Sequence, residues 1–103
     1  MTNIPSYIPI HPGALVKDEI EARGISQKRL AELMGVSYTM LNEILNGKRN
    51  ISADMALLFE AALEINAEMI INMQTCYSLR IARNNATFIK RFSKIRQACA
   101  AAF

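Results

Sequence analysis

Four glycines punctuate the first half of the chain at Gly13, Gly24, Gly35 and Gly47, at intervals of 11, 11 and 12 residues. Each interval accommodates about three turns of helix and a short connector. Apolar residues between the glycines recur at helical rather than alternating spacing, which predicts short helices joined by tight turns and no sheet. The 103 residues allow one compact domain. All three prolines, Pro5, Pro9 and Pro12, precede the series, so an extended arm is expected over residues 1–12.

The segments carry their own signals. Residues 14–23 place Leu15, Val16, Glu19 and Ile20 at helical spacing before Gly24. Ser26 is a natural N-cap for QKRLAELM, with Leu30, Leu33 and Met34 on one stripe. Ser37 caps YTMLNEILN, whose apolar stripe is Leu41, Ile44 and Leu45. Ser52 opens SADMALLFEAAL, with Asp54 near the positive end of the helix and Met55, Leu58 and Ala62 expected to face inward.

Residues 67–83 hold no proline or glycine and predict a longer fifth helix. Ile70, Met73, Tyr77 and Ile81 form one stripe, while Met69, Ile71, Cys76 and Leu79 populate neighbouring angles. A helix apolar over so much of its circumference is buried on more than one side. The expected partner is a second copy of the chain, with Ile70, Met73, Tyr77 and Ile81 as the candidate dimer face. In residues 84–103, Phe88, Phe92, Ile95 and Cys99 follow steps of four, three and four, with Lys90, Arg91, Lys94 and Arg96 elsewhere on the wheel. This basic amphipathic tail either forms a separate helix or continues the fifth.

Charge is divided along the chain. Residues 1–75 carry six Lys/Arg against all nine acids, and residues 76–103 carry six Lys/Arg and no acid. A basic tail on a slightly acidic body suits an anionic partner: nucleic acid, a membrane surface or an acidic protein. The hydrophobic share of 51% and charged share of 20% are globular rather than disordered. No apolar run reaches the length of a membrane span and the N-terminus lacks a secretory layout, so the expectation is a soluble, cytoplasmic protein. Cys76 and Cys99 lie far apart without a CxxC or a nearby histidine and read as packing thiols, so neither a disulfide framework nor a metal site is expected. His11 has no evident chemical partner. No nucleophile elbow, zinc-protease or phosphate-loop motif occurs, so neither an enzyme nor a cofactor is expected.

The stretch SQKRLAELMGVSYTMLNEILNGKRNI, residues 26–51, is the most specific. Two short helices crossing steeply need a small residue at the crossing, a turn residue that tolerates positive φ, and apolar docking residues on the second helix. Ala31, Gly35, and Leu41 with Ile44 supply these at the spacing of a DNA-binding helix-turn-helix. In that motif the second helix enters the major groove by its N-terminal end. Ser37, Tyr38, Thr39 and Asn42 then face base edges, Asn42 suiting an adenine, with Ser37 also capping. Gln27 and Lys28 open the preceding helix at the DNA backbone, and Lys48 and Arg49, with Asn46, follow as phosphate contacts.

The run resembles the helix-turn-helix of the phage-repressor-like (XRE/Cro) superfamily, including the glutamine that opens its first helix and the NGKR after its second. IHPGALVKDEIEARGIS is similar to the IHPGxxLxxxLxxxGxS opening of HigA-type antitoxins, and ISADMALLFEAAL and INMQTCYSLRIAR are similar to that family's fourth and fifth helices. The resemblance covers residues 9–83. It departs at Ile70, where family members usually carry tryptophan, and at Ser78, where they usually carry aspartate.

The resemblance implies an all-α, five-helix phage-repressor-like domain over residues 13–83, preceded by the arm at 1–12 and followed by the basic helical tail at 84–103. It further implies a homodimeric bacterial antitoxin of a type II toxin–antitoxin pair, which neutralises an mRNA-cleaving HigB-type toxin and represses its own operon at a palindromic operator. Such a protein is cytoplasmic, and nucleoid-associated when bound. A stand-alone regulator of the same superfamily, without a toxin partner, is the alternative. A third reading makes the tail a membrane-surface or protein-interaction module.

Overall fold

The computed structural model describes residues 9–103, so most of the arm expected over 1–12 lies outside the described residues. Six helices follow in order: α1 (Pro12–Ala22), α2 (Gln27–Met34), α3 (Tyr38–Leu45), α4 (Ala53–Leu63), α5 (Ala67–Arg83) and α6 (Ala86–Ala102). No strand occurs among the described residues. The tail is thus a helix of its own, broken from α5 at Asn84 and Asn85.

Local chemistry accounts for the helix starts. Ser26, Ser37 and Ser52 each accept a hydrogen bond from the backbone N–H three residues on, as their positions suggested. Asn66 and Asn85 do the same for α5 and α6. α1 begins two residues before the predicted start because Pro12 is accommodated in the first turn, where no N–H is needed and its fixed φ suits a helix.

The core gathers Val16 and Ile20, Leu30 and Ala31, Leu41, Ile44 and Leu45, and Met55, Phe59 and Leu63 around the N-terminal turn of α5. Gly13 lets α1 approach α3 closely: a Cβ there would fall onto the Ile44 carbonyl oxygen.

Four expectations need correction. α4 turns Met55, Ala56, Phe59 and Leu63 inward, leaving Leu58 and Ala62 exposed. The helix is apolar nearly all round, and only its neighbours select the face. Leu33 is 64% exposed because the short α2 is covered mainly through Leu30 and Ala31. Cys76 and Cys99 are both exposed free thiols rather than packing residues. Ile70, expected on the dimer face, is wholly buried in the chain's own core, since α5 docks there by its first turns. Of the same stripe, Met73 and Tyr77 are half-buried and Ile81 is exposed.

Beyond the core the chain extends. α6 packs against α5 and has no buried residue. The radius of gyration is 17.6 Å, against about 13 Å for a compact chain of 100 residues.

Candidate nucleic-acid interface

α2 packs against α3, and Ala31 of α2 is buried in the core. Gly35 ends α2 in the left-handed conformation at φ 69°, and the Val36 N–H returns to the Ala31 carbonyl at 3.0 Å. Leu41, Ile44 and Leu45 anchor α3 in the core, so its opposite side faces outward. The N-terminal end of α3 therefore projects with its positive dipole end uncovered.

The polar residues expected at this end are brought together there. Ser37 and Thr39 are exposed, and Tyr38 is 51% exposed. Asn42, one turn further on, is half-buried and donates from Nδ2 to Gln27 Oε1 at 2.9 Å. Gln27 thus sits beside the exposed polar end of α3, coupled to it. Lys28 is exposed on the first turn of α2, and Lys48 is exposed in the turn after α3.

Arg49 is engaged differently from expectation: its guanidinium pairs with Glu43 Oε1 at 2.9 Å. Both side chains remain well exposed, so the pair is weak and can yield to a phosphate. Asn46 is also tethered, donating to the Asn42 carbonyl at 2.9 Å and accepting from Lys17 Nζ at 3.3 Å. This surface offers donors and acceptors at base-edge scale on a helix tip, with cations on the flanking turns.

The helix-turn-helix family profile matches residues 16–70. The chain is 34% identical over 87 residues to antitoxin HigA-1 of Vibrio cholerae, covering 80% of this chain and 82% of that protein. The chain belongs to the HigA antitoxin family. Virulence-associated protein I of Dichelobacter nodosus is 36% identical over 77 residues, covering 74% of this chain and 71% of the relative. The solved structure of Pseudomonas aeruginosa antitoxin HigA with the higBA promoter has a TM-score of 0.72 at 36% identity, covering 82% and 90% of the two chains.

In this HigA-family chain, the sequence reading missed the residues that hold the turn after α3. Gln74 of α5 is buried; its Oε1 accepts from the Ile51 N–H at 2.8 Å, and its Nε2 donates to Asn50 and Ser78, each at 3.1 Å. His11 is buried as well: its Nδ1 accepts from the Gly13 N–H at 2.9 Å, and its ring meets Tyr77 edge-on at 5.0 Å. The ring also lies against Gly47. Burial lowers the His11 pKa below its usual value, and the nearby Arg49 backbone opposes this in part without a hydrogen bond forming to Nε2. The signals were in IHPG and NMQTCY, which the resemblance marked without assigning them a physical task. Both segments brace the turn that carries Lys48 and Arg49.

Proposed function

We propose that this HigA-family chain is an antitoxin that represses its own operon as a homodimer and neutralises a small mRNA-cleaving toxin of the HigB type. It acts by binding rather than by catalysis. The single observation that carries the DNA half is the uncovered N-terminal edge of α3, where Ser37, Tyr38, Thr39 and Asn42 share one polar face. In this reading those residues meet base edges, while Gln27, Lys28, Lys48 and Arg49 meet phosphates. The similarity to a HigA solved with its promoter supports the same orientation.

Residues 13–83 then form the reading unit, and residues 84–103 are an appended helix. A two-fold dimer matches a palindromic operator with half-sites about 34 Å apart, or a multiple of it. Met73, Tyr77 and Ile81 remain available on α5 for a dimer contact, unlike Ile70. In this reading the protein works in the bacterial cytoplasm, and on the nucleoid when bound to DNA.

Co-expression with the product of the adjacent gene, followed by a gel shift on the intervening promoter, tests both halves. Co-purification and a salt-sensitive shift are expected. A shift without a co-purifying toxin would assign the chain to the stand-alone regulators, and the absence of both would overturn the reading.

A further inference from the structure

The face of α6 left bare by its own chain has the pattern of a self-pairing helix. Phe88, Phe92, Ile95 and Cys99 are spaced four, three and four apart within α6, with Ala102 three after the last. That is the heptad rhythm of a two-helix seam. Phe88, Phe92 and Ile95 are 44%, 49% and 53% exposed. They line, with Arg91, Arg96 and Cys99, a shallow groove of about 550 Å³. Lys90 and Lys94 lie on the far side of the wheel, and Arg96 stacks on the Phe92 ring at 5.1 Å. The apolar seam is narrow, its flanks being Ile89, Arg91, Arg96 and Ala98. An interfacial membrane helix needs a broader apolar face, whereas another helix fits a seam of this width.

We infer that α6 pairs antiparallel with α6 of a second copy, its Phe88–Phe92–Ile95–Cys99 seam forming a two-fold contact. This rests on the homodimer reading above and names its surface. Charge and volume choose the direction. In a parallel pair each Arg91 would face the partner subunit's Arg96, and no acid exists among residues 76–103 to relieve the repulsion. The same register would stack Phe92 on its own copy and Cys99 on its own copy. Running antiparallel, Phe92 meets the partner subunit's Ile95 and Phe88 meets the partner subunit's Cys99, large against small. Arg91 then lies beside the partner subunit's Ala98, and Ile89 beside the partner subunit's Arg96. A two-fold axis between Phe92 and Ile95 satisfies all four pairings at once.

The test is light scattering on the full chain, with cross-linking. Phe92→Asp, at a position with no role in the chain's own core, raises the dimer dissociation constant about 100-fold or more while circular dichroism is unchanged. Ile95→Asp is the second variant. In a Cys76→Ser background, the two Cys99 thiols of an antiparallel pair lie about 16 Å apart and do not cross-link. Adding Phe88→Cys produces an oxidant-dependent covalent dimer. Dimers that survive both Asp variants would overturn the inference and leave the homodimer reading standing. A spontaneous Cys99 cross-link would reverse the direction and overturn it equally. A wild-type monomer that shifts operator DNA would overturn the homodimer reading itself, and a monomer sedimenting with phosphatidylglycerol vesicles would assign the face to lipid.

Discussion

Asn42 on α3 donates a 2.9 Å hydrogen bond to Gln27 on α2, fifteen residues earlier in the chain. One Nδ2 hydrogen is committed to that bond, which sets the plane of the Asn42 amide. Its second hydrogen and its Oδ1 remain for the donor–acceptor pair of an adenine edge. Asn42→Ala is therefore expected to cost about 1–3 kcal/mol of specific operator binding. Gln27→Ala should cost less, and the double variant less than the sum of the two, because Gln27 acts partly through Asn42. Competition gel shifts at one salt concentration check this. Wild-type affinity in both single variants would remove α3 from the groove.

The phosphate contact proposed for Arg49 requires its pair with Glu43 to open. Arg49→Ala should weaken binding to all sequences alike and reduce the salt slope by about one. Glu43→Gln removes both the competing partner and a negative charge near the duplex, and should tighten binding to any DNA. A salt titration of Kd separates these outcomes from a loss of base reading.

His11 predicts a pH dependence of stability. Its folded pKa is lowered from 6.5, so below that value the unfolded chain takes up protons more readily than the folded one. Its contribution is complete above pH 6.5 and is lost as pH falls from there through the lowered folded pKa. Protonation also removes the acceptor that caps α1, next to a helix N-terminus that disfavours positive charge. Urea melts between pH 7.5 and 5 should show this slope in the wild type. His11→Asn, which can still cap but does not titrate, should flatten it.

Gly13→Ala tests the contact between α1 and α3. The added Cβ collides with the backbone of Ile44, and a carbonyl in a packed helix has little room to yield. The expected loss is about 2 kcal/mol, a fall in Tm of roughly 10 °C, measured by thermal circular dichroism.

Gln74→Leu would keep much of the volume but leave the buried Ile51 N–H without an acceptor. A loss of about 1–3 kcal/mol is expected. Faster hydrogen exchange at Ile51 and its neighbours would show that the turn carrying Lys48 and Arg49 has loosened, and unchanged exchange would disprove this bracing role.

The sequence alone determined what short-range interactions decide. Ser26, Ser37 and Ser52 cap helices through bonds that span three residues, Gly35 supplies a turn conformation that few other residues tolerate, and Leu41, Ile44 and Leu45 set the docking side of α3. The exposed polar edge of α3 followed, because fixing the buried side of so short a helix fixes the exposed one. Tertiary structure decided whatever depended on distant neighbours. The largely apolar α4 offered two inward stripes, and packing chose Phe59 and Leu63 over Leu58 and Ala62. Ile70 belonged to a stripe that core and partner could equally claim, until α5 docked and buried it. Gln74 reaches a backbone amide 23 residues away, and His11 meets a ring on the far helix. Periodicity records which side of a helix is apolar, but not which neighbour covers it, and only the folded chain brings such separated groups within bonding distance.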